Sequence, residues 1–208
     1  MPAKRAKYSA AHRAHFGHKP AIYKVYRNTP YGRLRWHLAH RTAINIRQRG
    51  IPCPELLFSG WDRQWRAYVL VCEYLEGNTL RWLRSEADET RQAPALKQIT
   101  GLLALMHSRG VVQHDTNFGN FLDTGGQILA LDEDRMSCLP WQPGRRKSFR
   151  NLASLLSRIP AQSAPLETQL YDHYRRARGW PAAPEDQGYL IALTRYLRTR
   201  RQNRKRAA

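Results

Sequence analysis

Acidic residues are scarce in this sequence. Its 208 residues include 16 Asp and Glu against 35 Lys and Arg, a formal charge of +19, and there is no acid at all from Arg27 to Pro54. Charge of this size concentrates anions at a surface. It leaves open nucleic acid, an anionic membrane face, a phosphorylated or carboxylated substrate, or simply a basic surface. Cysteine is also rare: Cys53, Cys72 and Cys138 form no CxxC pair and have no histidine at ligand spacing, which argues against a zinc site and a disulfide scaffold. Long apolar runs are missing, the longest being the six residues from Ala67 to Cys72. A membrane span needs about 20 and a signal peptide about 7 to 15. The chain is therefore expected to be neither membrane-spanning nor conventionally secreted. With 42% hydrophobic residues it still has material for a core of one domain or two small lobes.

The first 20 residues are basic, carry no clear period and read as an arm or as poorly specified strands. His12, His15 and His18 recur every three residues and could share a helical face, but no acidic ligand accompanies them. From Ala21 to Arg27 the pattern alternates, with Ile22, Lys24 and Tyr26 on one side and Tyr23 and Val25 on the other, as in a half-buried strand. A basic helix is predicted from about Leu34 to Gln48, closed by Gly50, Pro52 and Pro54. Leu56 to Phe58 and Ala67 to Cys72 read as two further strands. Then the period turns helical: Leu96, Ile99, Leu103 and Met106 mark one helix with Pro94 near its start. Phe149 to Ile159, about 166 to 178, and Tyr189 to Arg201 mark three more. Strands first and helices afterwards predict an α+β fold of two lobes, residues 1–75 and 76–208. The last eleven residues hold Arg198, Arg200, Arg201, Arg204, Lys205 and Arg206, a tail expected to fray by self-repulsion.

The chemistry concentrates between residues 107 and 136, HSRGVVQHDTNFGNFLDTGGQILALDEDRM. Asp115 precedes Asn120 by five residues, and twelve further on Asp132 ends the apolar strand Ile128-Leu129-Ala130-Leu131, after a Gly125-Gly126 turn. Phosphoryl transfer needs one carboxylate to orient or deprotonate a hydroxyl and separate oxygen ligands to hold Mg2+ against nucleotide phosphates. Asp115 suits the first role, Asn120 and Asp132 the second. Asp134 could substitute for Asp132, Glu133 is expected to face elsewhere, and His114 is read as ordering the loop through backbone carbonyls.

These residues resemble the protein-kinase-like superfamily, in which an H-x-D-x-x-x-x-N catalytic loop is followed by a strand ending in Asp. Lys24 in AIYKVYR looks like its phosphate-binding strand lysine. CEYLEG at 72 to 77, with Glu73 and Leu75, looks like the hinge that receives adenine, and HSRG at 107 to 110 looks like the end of the helix before the catalytic loop. Within the superfamily the chain is similar to the lipopolysaccharide core kinases of the Kdo/WaaP group. The likeness rests on RGIPCPELLFSG at 49 to 60, on Asp-x-Asp-Arg at 132 to 135 in place of Asp-Phe-Gly, and on RRKSFRNLASLLSRI at 145 to 159. The resemblance implies a compact two-lobed kinase-like fold with its site in the cleft near the lobe junction, and ATP and Mg2+ as cofactors. The implied activity is phosphorylation of a heptose or Kdo hydroxyl on nascent, anionic lipopolysaccharide core, in the cytoplasm or peripherally at the cytoplasmic face of the inner membrane.

Two departures from that pattern stand out. No glutamate on the following helix can hold Lys24; His37 or His40 falls near its place, and neither is an anion. No glycine-rich loop precedes Lys24, and 23 residues leave little room for two full strands. These departures motivate a second reading, a catalytically weak or dead kinase fold that binds anionic glycolipid or RNA. A third is a minimal atypical kinase of the KEOPS or RIO type, against which Asp-x-Asp-Arg argues. Arg145, Arg146, Lys147 and Arg150 could meet substrate phosphates, headgroups or solvent. The C-terminal basic run lacks interleaved aromatics, which disfavours nucleic-acid base stacking.

Overall fold

The weak period of the N-terminal segment hides a hairpin. The structure, a computed structural model, describes residues 9–161 and 163–206. In it Ser9–Phe16 (β1) pairs antiparallel with Lys19–Tyr26 (β2). Gly17 makes the turn at φ +60°, a conformation that suits a residue without Cβ. Of the two readings of the first 20 residues, an arm or poorly specified strands, the strands hold for the described residues 9–20, and two full strands do fit ahead of and around Lys24; residues 1–8 lie outside the described residues. His12 and His15 ride on β1 and His18 lies in the turn, so the three do not share a helical face.

The chain divides into two compact units. The first runs up to Gly77 and also takes in Ala130–Asp134. Its sheet has the order β1-β2-β4-β3, all antiparallel, with Leu56–Asp62 as β3 and Ala67–Glu73 as β4. The helix Pro30–Gln48 (α1) begins before the predicted Leu34, because Thr29 caps it by accepting from the Gly32 N–H and Pro30 pre-sets the first turn. Ala39, Ala43 and Ile46, spaced four and three apart, form its buried stripe. Ala39 and Ala43 pack with Tyr26, Leu70 and Cys72, and Trp36 donates its indole N–H to Ser59 Oγ and the Val69 carbonyl. The opposite face of the sheet packs Ala21, Tyr23, Val69 and Val71. The period-two reading of β2 therefore holds, and Lys24, opposite Leu70, shares the face of Tyr26.

The second unit holds Asn78–Leu129 and the chain from Arg135 onward. The helix Glu89–Ser108 (α2) starts five residues ahead of Pro94, because Asp88 caps it through the Thr90 N–H at 2.8 Å. Pro94 is an interior residue, not a starting one. Leu96, Ile99, Leu103 and Met106 are fully buried, each contributing about 1.5–3 kcal/mol of transfer free energy. Short strands flank it: Asn78–Thr79 (β5), Phe121–Asp123 (β7) and Ile128–Ala130 (β8) form one sheet, and Val111–Gln113 (β6) pairs with Met136–Cys138 (β9). Arg145–Leu156 (α3), Ala164–Ala177 (α4) and Pro184–Arg206 (α5) complete it, with Phe149, Tyr171 and Tyr174 buried among α3 and α4. The tail does not fray where it is described; it is helix to Arg206. No described helix is long and apolar enough to cross a membrane.

Candidate active site

Lys24 meets two carboxylates in the first unit. Its Nζ donates to Asp132 Oδ1 at 2.6 Å and to Asp134 Oδ1, and Arg35 of α1 lies 3.8 Å from Asp134 Oδ2. Asp132 has φ +68°, a left-handed conformation that Asp tolerates better than most side chains. The Ala130 N–H, bonded to the Pro52 carbonyl at 2.9 Å, holds the segment just before this turn. Strain of this kind persists where surrounding structure fixes it, and it clusters at functional sites. Burial disfavours the Lys24 ammonium, but Asp134 and Asp132 outweigh it and its pKa is raised. Asp132 is also raised: burial acts first, and one lysine cannot fully compensate two adjacent carboxylates.

The missing helix glutamate now has a physical explanation, for the polarity is reversed. Helix α1 supplies cations and the segment at 132 to 134 supplies anions. Glu133 turns away from Lys24, as expected, and accepts from Arg47 at 2.9 Å and from the Cys72 thiol at 3.3 Å. Arg47 also donates to the Ala43 carbonyl at 2.7 Å and to the Pro54 carbonyl. Burial and the Glu133 carboxylate push the Cys72 thiol up, so it remains protonated. His40 accepts or donates at Ser59 Oγ, 2.9 Å away, and stacks on Trp36; it does not replace the glutamate. At the expected hinge, the Glu73 N–H bonds the Glu55 carbonyl and the Tyr74 N–H bonds the Pro20 carbonyl, each at 2.9 Å. Among the described residues no hydrogen bond engages the backbone of Leu75, whose amide and carbonyl are available to a base.

In the second unit the loop after β6 brings Asp115 and Asn120 together. Asn120 Nδ2 donates to the Asp115 carbonyl at 2.9 Å, which leaves its Oδ1 without a partner among the described residues. Asn117 tightens the turn, donating its N–H to the same carbonyl at 2.8 Å and accepting from the Gly119 N–H at 3.2 Å. A Cβ at Gly119 would lie 2.6 Å from the Arg81 Nε, so a larger residue there would displace the Arg81 side chain. Asp115 Oδ1 accepts from Arg158 at 3.2 Å, and its side chain is 45% exposed, enough for the other oxygen to meet a substrate. Thr116 bonds Ser154 of α3 at 3.0 Å. His114 meets Ser137 Oγ at 3.0 Å; it orders the loop through a hydroxyl where a backbone carbonyl was expected.

Behind the loop, the buried His107 bonds Tyr174 Oη at 2.6 Å and Asn151 Oδ1 at 3.0 Å, and Asn151 Nδ2 donates to the Gln113 carbonyl at 2.6 Å. Burial pulls the His107 pKa down to about 3, with Arg178 and Lys147 adding to it against the Asn151 bond. His107 is thus a neutral structural brace. Sequence reasoning missed Arg35, Arg47 and Arg158. The first two were signalled by a helix with no acid opposite a run of three acids, and Arg158 by the end of RRKSFRNLASLLSRI, of which only the leading cations were weighed.

Among the described residues no cluster of three or more His, Cys, Asp or Glu is placed to hold a metal alone. Asp132 and Asp134 offer two hard oxygen ligands already gathered on a cation. This fits Mg2+, which is commonly held by one or two carboxylates with phosphates and water completing the shell.

The elements define the α+β, protein-kinase-like fold. The chain is similar in structure to a Ralstonia eutropha JMP134 protein named as a candidate aminoglycoside phosphotransferase, with a TM-score of 0.57 at 12% identity, over 94% of this chain and 82% of that one. No family model matches the chain, and no curated protein matches it.

Proposed function

We propose that this protein transfers the γ-phosphoryl group of Mg-ATP to a sugar hydroxyl, heptose or Kdo, of the lipopolysaccharide inner core. The observation that carries this reading is the Lys24–Asp132 ion pair at 2.6 Å, which joins residues 108 apart in sequence. A basic strand residue and a strand-end carboxylate meet there by tertiary design. Lys24 would release its carboxylates and donate to the α- and β-phosphate oxygens of ATP, while the Leu75 backbone meets the adenine edge beyond Glu73. Asp132 and Asn120 Oδ1 would hold Mg2+, which neutralises developing charge on the phosphates. Asp115 would take the proton of the acceptor hydroxyl on its free oxygen, with Arg158 fixing the other. The acceptor sugar rests on the Kdo/WaaP resemblance and on the anion-attracting charge of +19, which also suits peripheral contact with an anionic membrane face.

The test is transfer of labelled phosphate from Mg-ATP to deacylated inner core. Asp115→Asn and Asp132→Ala are each expected to lower the rate at least about 100-fold. Undiminished transfer by Asp115→Asn would remove it from the chemistry. One observation favours a second reading, a basic binding module without catalysis: Lys24 is already occupied by two carboxylates. No transfer by a folded protein whose Tm also does not respond to Mg-ATP would favour that alternative.

A further inference from the structure

A cavity of about 510 Å³ in the second unit is lined by Arg84, Arg158, Arg198, Arg201 and Arg204, with Ser157, Ile159, Pro160 and Gln202 between them. No carboxylate lines it. Among the described residues the acids tied to it are Asp115, 3.2 Å from Arg158, and Glu167, whose charge acts on Arg198. Five guanidiniums are therefore balanced by two carboxylates, an arrangement in which each added cation raises the energy of the others.

Part of this cluster has a structural task. Arg198 Nε donates to the Ile159 carbonyl at 3.2 Å; Arg201 donates to Ser157 Oγ at 3.0 Å and Ser154 Oγ at 3.2 Å. Both therefore sit at the C-terminal end of α3, where orphan carbonyls attract cations. That task accounts for two arginines and leaves three. The side chains of Arg84 and Arg204 make no hydrogen bond or ion pair among the described residues, and Arg158 Nε is buried without a partner. Burial first, then neighbouring arginines, lower the pKa of Arg158 and Arg201, with Asp115 opposing. The cavity is charge-open, carries unused fork-shaped donors and is anchored by helix α5.

We propose that this arginine cavity binds a phosphate monoester carried by the acceptor and so brings the acceptor hydroxyl to Asp115. Planar guanidinium forks match phosphate oxygens two at a time. Arg158 is the link, since it belongs to the cavity and to the Asp115 contact. A phosphate in the cavity shares Arg158 with Asp115 Oδ1 and so holds the acceptor hydroxyl beside the free oxygen of Asp115 that takes its proton. No aromatic ring lines the cavity, so it offers no stacking platform for a nucleobase. The basic run at Arg146, Lys147 and Arg150 lines a different cavity, with His114 and Asn151.

The inference rests on the phosphotransfer reading, and the experiment separates the two. Binding of inorganic phosphate, glucose 6-phosphate and glucose to the full chain is followed by calorimetry at fixed ionic strength. The panel is repeated for Arg84→Ala/Arg204→Ala, whose Tm reports that it folds, and for the charge-keeping Arg84→Lys/Arg204→Lys. Both phosphates should bind and glucose should not; the alanine pair should weaken binding at least ten-fold and the lysine pair should recover part of it. In the transfer assay inorganic phosphate should compete with a phosphate-bearing inner-core acceptor, and the alanine pair should raise its KM at least ten-fold with little change in kcat. Phosphate affinity indifferent to both pairs overturns the site. Phosphate binding that does not compete with the acceptor overturns the acceptor assignment and makes the cavity an effector site. Displacement of phosphate by single-stranded RNA, with a steep salt dependence, would overturn the small-acceptor assignment in favour of nucleic acid. If nothing is phosphorylated yet phosphate binds through Arg84 and Arg204, the proposed function falls and the cavity stands.

Discussion

The acids at 132 to 134 and the arginines around Asp115 handle charge in opposite ways. In the first, Asp132, Glu133 and Asp134 meet Lys24, Arg35 and Arg47, three anions with three cations. In the second, five arginines line one cavity and, among the described residues, only Arg158 of them forms an ion pair, with Asp115. A closed set is stable by itself, and its partners must be exchanged before they can serve a ligand. An open set holds unused donors in place, so a ligand completes it directly. On the proposed function the first set would be a framework whose lysine and aspartates change partners for nucleotide, and on the proposed acceptor site the second would serve recognition.

Removing one member of the closed set should have the largest effect on stability. Glu133→Ala leaves the Arg47 guanidinium buried without its carboxylate, and breaking such a pair costs about 3–5 kcal/mol, read from urea denaturation. Glu133→Gln keeps a hydrogen-bond acceptor and should fall between it and the wild type. A cost below about 1 kcal/mol would mean the set is not closed through Arg47.

The next largest effect lies in how the second unit keeps a buried base neutral. The folded-state pKa of His107 is depressed to about 3, so the unfolded chain binds a proton between about pH 6.5 and 3 that the folded chain does not. Stability is therefore fully present above pH 6.5 and falls on acidification. This residue contributes up to about 1.4 kcal/mol per pH unit. His107→Gln should flatten that slope. Should the substitution prevent folding, the imidazole resonances decide the matter: His107 must show no titration near pH 6.5.

Lys24→Met opens the closed set by one charge. Asp132 and Asp134 would then repel each other in a partly buried site, at a cost of about 1–3 kcal/mol at pH 7. The carboxyl whose folded pKa is raised is destabilising above that pKa and ceases to be as it protonates, so the difference from wild type should shrink as pH falls through the raised pKa of Asp132. Mg2+ should restore Tm in the variant more than in the wild type, since it can replace the lost cation.

Much of this was legible in the sequence, and the illegible part has a physical cause. Local patterns revealed β2, the spacing of Asp115, Asn120 and Asp132, and the helical periods of α2 to α4, because each is written over a few neighbouring residues. The hairpin at residues 9–26 was hidden because β1, SAAHRAHF, carries small and charged residues that give no clean alternation. The start of α2 was misplaced because Asp88 outweighs Pro94 as a start signal. The reversed polarity around Lys24 could not be read locally, since it joins α1 to a segment about 90 residues away. The tail was misread for a related reason: like charges in sequence repel, but Arg198 and Arg201 spend their charge on the Ile159 carbonyl and the Ser154 and Ser157 hydroxyls at the end of α3, which no tail sequence displays.

The smallest expected effect has the most telling sign. Arg84 contributes repulsion to Arg158 and Arg201 and has no partner among the described residues. Removing it should therefore leave stability unchanged or raise it, by no more than about 0.5 kcal/mol. The gain should be visible at low salt and vanish near 1 M, where the screening length is about 3 Å. Lys19→Ala provides the opposite control, because its pair with Glu55 at 3.6 Å is exposed and attractive, so its removal should cost a few tenths of a kcal/mol at low salt. Two exposed cations of equal charge would then differ in sign through their surroundings alone. Added inorganic phosphate should reverse the order at the arginine cavity, making Arg84 stabilising once an anion sits among the guanidiniums, and should leave Lys19 unaffected. If Arg84→Ala is destabilising without phosphate, the cavity is already closed by groups of this chain, and the contrast between the two sets of charges fails at its weaker end.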